Sequence, residues 1–187
     1  VMALGTGSSL TAVYEELIRR YQEKTLSFRN VVVFNAYEYY PLQQESSLRT
    51  INQLKERFLS HVDVQEQNIF SLDGFVAQDA VQDCCRLYEQ RIKTFGGLDV
   101  ALIGIGRSGN IAANEPGSGI QSVTRLILIG NTSREEMEAS EQTKETIPPC
   151  SLTMGIATLL SAKTVYLTAW GEEKAEIMQK VVENSIT

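Results

Sequence analysis

The segment Leu102-Ile-Gly-Ile-Gly-Arg-Ser-Gly-Asn-Ile-Ala-Ala-Asn-Glu-Pro-Gly117 holds the densest chemistry in this chain. An apolar run over residues 100–103 leads into Gly104, Gly106 and Gly109, and a polar cluster closes on Asn114-Glu115-Pro116-Gly117. Glycine lets the backbone take positive φ and lets a ligand approach closely. Open α/β sheets place their ligands where a buried strand empties into such a loop. The loop therefore reads as a substrate wall, with Gly104, Gly106, Arg107 and Gly109 as lining candidates. Glu115 is its most interesting side chain, because a carboxylate in a partly dry pocket is pushed toward neutral pKa and can move protons. Its plainer reading is an inert acid at a helix end.

Other segments carry related chemistry. Gly5-Thr-Gly-Ser-Ser9 lies between a strand-like run and a helical one. The backbone N–H groups of Gly5, Thr6, Gly7, Ser8 and Ser9, two kinds of hydroxyl and a helix N-terminus suit a phosphate. The alternative is a tight turn with Ser8 or Ser9 as helix cap. No Gly-Lys-Ser/Thr follows, so this is not a Walker loop. Phe34-Asn-Ala-Tyr-Glu-Tyr-Tyr-Pro41 reads as a loop after a strand, with Glu38 at the ligand edge and Tyr37 among tyrosines suited to a sugar, or else as an aromatic surface loop. Lys174 falls in the first turn of the last helix, where a cation opposes the helix dipole and an anion would relieve it. His61, the single histidine, reads as a structural hydrogen-bonding group. That removes a Ser-His-Asp triad and any histidine-based metal site, and no cofactor or metal is expected.

These residues need a scaffold, and the patterning supplies one. Strand-like runs at 1–4, 31–34, 68–72, 98–103, 124–129 and 165–169 alternate with helical stretches at 10–24, 48–59, 80–95, 151–161 and 174–184. Residues 131–146 read as a solvated helix or flap, and 124–129 as part of an antiparallel portion of the sheet. The alternation predicts an α/β fold, modified Rossmann-like, with a mostly parallel sheet covered by helices on both faces. Right-handed crossovers then place the loops 5–9, 35–41, 104–117 and 170–174 along one edge.

Composition narrows the function classes. A formal charge of −6 argues against a nucleic-acid partner, which needs a basic face. No apolar run approaches the roughly 20 residues of a bilayer-spanning helix, so no membrane partner is expected. Cys84, Cys85 and Cys150 lack metal-type spacing and read as reduced thiols of a cytoplasmic protein. The 187 residues suggest one domain over 1–187. Opening directly on a strand pattern, it reads as cut at one or both ends.

Taken in order, these segments resemble the glucosamine-6-phosphate deaminase (isomerase) family. The resemblance is carried by Gly5-Thr-Gly-Ser-Ser9, Tyr14-Glu-Glu-Leu17, Phe34-Asn-Ala-Tyr-Glu-Tyr39, His61-Val-Asp-Val64, Tyr88-Glu-Gln-Arg-Ile92, Gly96-Gly-Leu-Asp99, the 104–117 loop, Leu152-Thr-Met-Gly155 and Gly171-Glu-Glu-Lys-Ala175. It implies a phosphorylated amino sugar as ligand, opening of its ring, a proton shift between C2 and C1, and release of ammonia to give fructose 6-phosphate. Members commonly form symmetric oligomers, so a homo-oligomer is implied. Thr6 to Ser9 and Lys174 would hold the phosphate; Glu38 and Glu115 match family carboxylates. The family's proton-transferring aspartate is here Tyr37, a second aspartate is Ser108, and the ring-opening histidine is Asn110. Serine and asparagine do not titrate near pH 7, and an ordinary tyrosine titrates near about 10. The expected phosphate-contacting arginine has only Arg134 nearby. With Glu38, Glu115, Tyr37, Ser108 and Asn110 as acid–base candidates, the resemblance implies weak, altered or lost catalysis. The alternatives are a noncatalytic sugar-phosphate sensor and a module fused to another enzyme domain.

Overall fold

The computed structural model describes residues 1–140 and 145–183. In chain order the elements are β1 (Met2–Leu4), α1 (Thr11–Gln22), β2 (Val33–Asn35), β3 (Tyr37–Tyr40), α2 (Thr50–Arg57), β4 (Ile69–Phe70), α3 (Val81–Thr94), β5 (Val100–Gly104), β6 (Arg125–Leu128), α4 (Asn131–Ser140), β7 (Cys150–Thr153), α5 (Ile156–Leu160), β8 (Thr164–Thr168) and α6 (Ala175–Glu183). A five-stranded sheet runs in the order β4-β2-β1-β5-β8, and each of its pairings is parallel. A separate antiparallel sheet has the order β3-β7-β6. Among the described residues no helix is long and apolar enough to cross a membrane.

Alternation along the parallel strands divides the core. Ala3, Phe34, Ala101 and Ile103 pack on one face with Val81, Cys85, Tyr88 and Ile92 of α3 and with Leu152 of β7. Their neighbours Leu4, Val33 and Leu102 pack on the other face with Leu10, which precedes α1, and with Tyr14, Ile51 and Leu54 from α1 and α2. The buried residues of α3 recur at helical spacing, giving one apolar stripe. This helix stops at Gly96 and Gly97, whose φ angles of 85° and 91° suit glycine. The N–H of Gly97 then reaches the Ile92 carbonyl at 3.0 Å.

The antiparallel sheet corrects two sequence expectations. Residues 37–40, expected in a loop, form β3, and the first part of the helix expected over 151–161 is β7. β7 is paired on both sides, Glu38 with Leu152 and Leu126 with Leu152, so its polar backbone is satisfied while its side chains are buried. Only 156–160 of that stretch is helical. Gly155 allows the turn between them, since a Cβ there would lie 2.1 Å from the Ser122 carbonyl oxygen. Of the expected 131–146 helix, residues 131–140 are helical and 141–144 lie outside the described residues, as does residue 184 of the last helix.

Glu38 joins this small sheet to α2. It is 1% exposed, and its Oε1 accepts the backbone N–H groups of Thr50 at 2.9 Å and Tyr39 at 3.0 Å. α2 has no side-chain cap of its own at Arg49, so this carboxyl supplies a tertiary acceptor to its first turn. Oε2 has no hydrogen-bond partner among the described residues. Burial pushes the Glu38 pKa up to about 7, outweighing the donors from Thr50 and Tyr39. A raised folded-state pKa means that the folded chain holds the proton more tightly than the unfolded one. Support from Glu38 is thus full below about pH 4.5 and is lost as pH rises through about 7. Glu38→Gln keeps an acceptor oxygen and removes the titration. In urea unfolding from pH 4.5 to 8, wild type should lose roughly 3 kcal/mol relative to this variant. Parallel pH profiles for the two proteins would show that Glu38 is not neutral in the fold.

Candidate functional site

The strand order places a cavity. From β1 the chain moves one way to β2 and β4, then returns to β5 and β8 on the other side. The reversal lies between β1 and β5, where an open α/β sheet leaves a crevice beyond its strand C-termini. Register aligns those ends, with Leu4 beside Leu102 and Asn35, and Gly104 beside Thr168. A cavity of about 600 Å³ opens there. Its wall includes Gly5 through Ser9, Tyr37, Gly104, Gly106, Asn110 and Lys174, so all of the expected loops contribute.

The 5–9 loop is held from several sides. The Gly5 N–H meets the Leu102 carbonyl at 3.0 Å, and the buried Tyr14 hydroxyl donates to the Gly5 carbonyl at 2.6 Å. Burial raises the Tyr14 pKa, which keeps that proton in place. Thr6 Oγ1 and Tyr37 Oη lie 2.9 Å apart, and Ser9 Oγ and Thr168 Oγ1 also 2.9 Å. Trp170 Nε1–H donates to the Ser9 carbonyl at 2.7 Å. Gly104 is needed for this approach, because a Cβ there would come within 2.4 Å of Ser9 Oγ. The loop passes through Ser8–Leu10 in a 3-10 turn directly into α1, so the loop backbone and the start of the helix line the cavity. That is an anion-receptive surface.

Next to it, the 104–117 loop is a compact turn system. The Gly106 N–H bonds to the Asn110 carbonyl at 2.9 Å, and the Gly109 N–H to the Gly106 carbonyl at 3.0 Å. Ser108 Oγ sits 2.9 Å from Asn110 Oδ1, 3.0 Å from Ser133 Oγ and 3.4 Å from Glu115 Oε2. Asn110 Nδ2 donates to the Ala112 carbonyl at 3.2 Å. Asn110 therefore presents a neutral amide already engaged on both sides.

Several expected residues are not at the surface of the cavity. Glu38 projects to the opposite side of β3 from Tyr37 and Tyr39, as strand alternation requires, and serves α2 instead. Glu115 lies behind the wall, where its Oε1 accepts the Gly130 N–H at 2.9 Å beside the start of α4. Ser108 and Gly109 are likewise behind the lining, and Arg107 is exposed, reaching the site only through its backbone N–H. Arg134 also lies off the cavity, and its Nε has no hydrogen-bond partner among the described residues. His61 is elsewhere, its Nε2 2.9 Å from the Glu56 carbonyl.

The structure adds residues that the sequence did not single out. α2 turns Gln53 and Arg57 into the cavity, and Arg57 donates to the Thr6 carbonyl. α4 contributes Ser133, Glu136 and Met137, spaced as one helical face. Lys174, 8% exposed, is ion-paired with Glu136. The available signal was helical spacing alone, i, i+4 for Gln53 and Arg57 on an amphipathic helix and i, i+3, i+4 on a stretch that reads as a solvated helix or flap. Among the described residues no group of histidine, cysteine and acidic side chains is placed to hold a metal.

Comparison with known proteins agrees with this architecture. The model of the family described as glucosamine-6-phosphate isomerases/6-phosphogluconolactonase matches residues 1–186. A glucosamine-6-phosphate deaminase-like protein of Bacteroides thetaiotaomicron is 55% identical over all 187 residues, which span only 28% of that protein's length. Glucosamine-6-phosphate deaminase 1 of Bacillus subtilis is 34% identical over the same residues, which span 76% of its length. A solved monomeric glucosamine-6-phosphate deaminase superposes with a TM-score of 0.92 at 33% identity, covering 100% of this chain and 76% of that one. The 6-phosphogluconolactonase of Thermotoga maritima, at 16% identity and a TM-score of 0.74 over 98% of this chain and 76% of that one, shares the fold. The chain belongs to the glucosamine-6-phosphate isomerase/6-phosphogluconolactonase family.

Proposed function

We propose that the cavity binds a phosphorylated hexosamine or hexose, and that the family's isomerisation with deamination is weak or lost in this chain. The phosphate seats on the N–H groups and hydroxyls of residues 6–9, with Lys174 beside it. The sugar lies along Gly104, Gly106 and Asn110. The observation that carries the reading is the meeting of an anion-receptive helix start with a glycine-rich wall at the β1/β5 reversal.

The low-activity part rests on what stands at the acid–base positions. Tyr37 is tied to Thr6, and the Asn110 amide is tied to Ser108 and Ala112. Glu115 is committed to Gly130 behind the wall. Loss of one general acid–base group typically costs about 10²–10⁴ in rate. The absence of an ionisable side chain at 108 and 110 favours a binding module that senses the sugar phosphate over a fast enzyme.

Calorimetric titration with glucosamine 6-phosphate, run beside an ammonia-release assay, tests both parts. Saturable heat with little ammonia is expected. No saturable heat would remove the ligand assignment. Rapid ammonia release would remove the low-activity assignment. Lys174→Ala should weaken binding about ten- to a hundred-fold, the scale of one charge-assisted hydrogen bond. Glu115→Gln should leave affinity within about three-fold, because Glu115 does not line the cavity. Equal effects of these substitutions would place the phosphate elsewhere.

A gain-of-function experiment addresses the chemistry directly. Ser108→Asp combined with Asn110→His puts an imidazole in the wall with a carboxylate behind it. Ammonia release from glucosamine 6-phosphate should rise by about 10² or more over wild type. An unchanged rate in a folded double variant would mean that the groups missing at 108 and 110 are not what limits turnover.

A further inference from the structure

Both cations of the cavity are already engaged. Arg57 donates to the Thr6 carbonyl, and Lys174 is paired with Glu136. The Glu136 carboxylate uses both oxygens, with Oε1 on the Lys174 ammonium and Oε2 accepting the Arg107 backbone N–H at 2.7 Å. It thereby bridges the glycine-rich loop and the 3-10 turn Glu172–Lys174 that starts α6. A phosphate monoester on residues 6–9 would compete for the same ammonium through a charge-assisted hydrogen bond. A cation before a helix N-terminus is electrostatically opposed by the helix dipole, and Glu136 supplies the compensating anion.

Charge around the cavity points the same way. Glu15, Glu136 and Glu173 line it with Arg57 and Lys174, so the carboxylates exceed the cations. A monoester near −2 cannot join this set favourably while Glu136 keeps its place, since like charges at contact distance repel strongly where water is partly excluded. Ser133 and Met137 flank Glu136 on the same face of α4, so withdrawing that face would free the ammonium.

We infer that Glu136 determines whether this cavity accepts an anionic sugar: its carboxylate holds the Lys174 ammonium that a phosphate on residues 6–9 would take, and a phosphorylated ligand binds by displacing it from Lys174. The inference rests on the sugar-phosphate reading of the site. Glu136 is here a specificity-determining residue, setting affinity through competition for one ammonium. The apparent dissociation constant is the intrinsic one divided by the fraction of molecules whose Lys174 is free.

Removing the charge while keeping an acceptor for the Arg107 N–H tests this. Glucosamine 6-phosphate, inorganic phosphate and unphosphorylated glucosamine are titrated into wild type and Glu136→Gln, by calorimetry and by fluorescence. Trp170 is the single tryptophan and lies in the cavity wall, so its emission reports occupancy. Glu136→Gln should bind glucosamine 6-phosphate about ten-fold or more tightly than wild type, with glucosamine unchanged. Adding Lys174→Ala to that variant should erase the gain. If Glu136→Gln does not fold, Glu136→Ala, a good helix former, takes its place with the same expectation. Wild-type binding that neither variant tightens overturns the role of Glu136 alone. No binding of glucosamine 6-phosphate by wild type and variants alike overturns the sugar-phosphate reading, and this inference with it. Equal tightening toward glucosamine would show that Glu136 restricts space rather than charge, and would also overturn it.

Discussion

Reversal of strand order between β1 and β5 is the constraint on which the rest depends. Strands laid down on one side of β1 and then on the other leave two loops, after Leu4 and after Gly104, that diverge to opposite faces of the sheet. Neither loop can cover the gap between them. Every pairing in this sheet is parallel, so the turn after β8 arrives at the same edge and brings Lys174. The cavity is thus a product of topology before any particular side chain is considered. What the side chains decide is how the gap is lined, and the small residues Gly5, Gly7, Gly104 and Gly106 keep it open.

This explains which parts were legible in the sequence. Parallel strands buried on both faces read as short apolar runs, and Val1 to Leu4 and Val100 to Ile103 are such runs. Their C-terminal glycines mark the loops without reference to anything distant. α3 is legible because its apolar stripe and its Gly96-Gly97 stop are both local. Of the antiparallel sheet only β6 was legible, since β3 and β7 are four-residue strands that pair across more than a hundred residues of sequence. Cys150 to Thr153 has no apolar run, and its strand character comes from neighbours on both sides rather than from its own pattern.

Misplacement of β3 also accounts for the role first given to Glu38. In a loop, Glu38 is as free as Tyr37 to face a ligand. In a strand, adjacent side chains take opposite faces, so placing Tyr37 and Tyr39 at the cavity commits Glu38 to the interior. Glu115 differs in kind: the loop was placed correctly, but its fold turns the carboxylate toward Gly130 and the beginning of α4. Arg57 and Glu136 had no local mark beyond helical spacing. Each is a charged residue on a helix with other charges nearby, and only the packing of α2 and α4 over the crevice makes them wall.

The Lys174–Glu136 pair is best understood through desolvation. Lys174 is 8% exposed, and a buried ammonium without a partner costs several kcal/mol. A chain that carries such a lysine to hold an anion must therefore tolerate the empty state, either by letting the lysine swing into water or by offering it an anion of its own. Here the second solution is in place, because α4 supplies a carboxylate at the required position. On the proposed reading, the attraction of Lys174 for a ligand is measured against Glu136 rather than against water, so affinity would be a difference between two ion pairs. The lysine alone, which is all that the sequence displays, cannot set its magnitude.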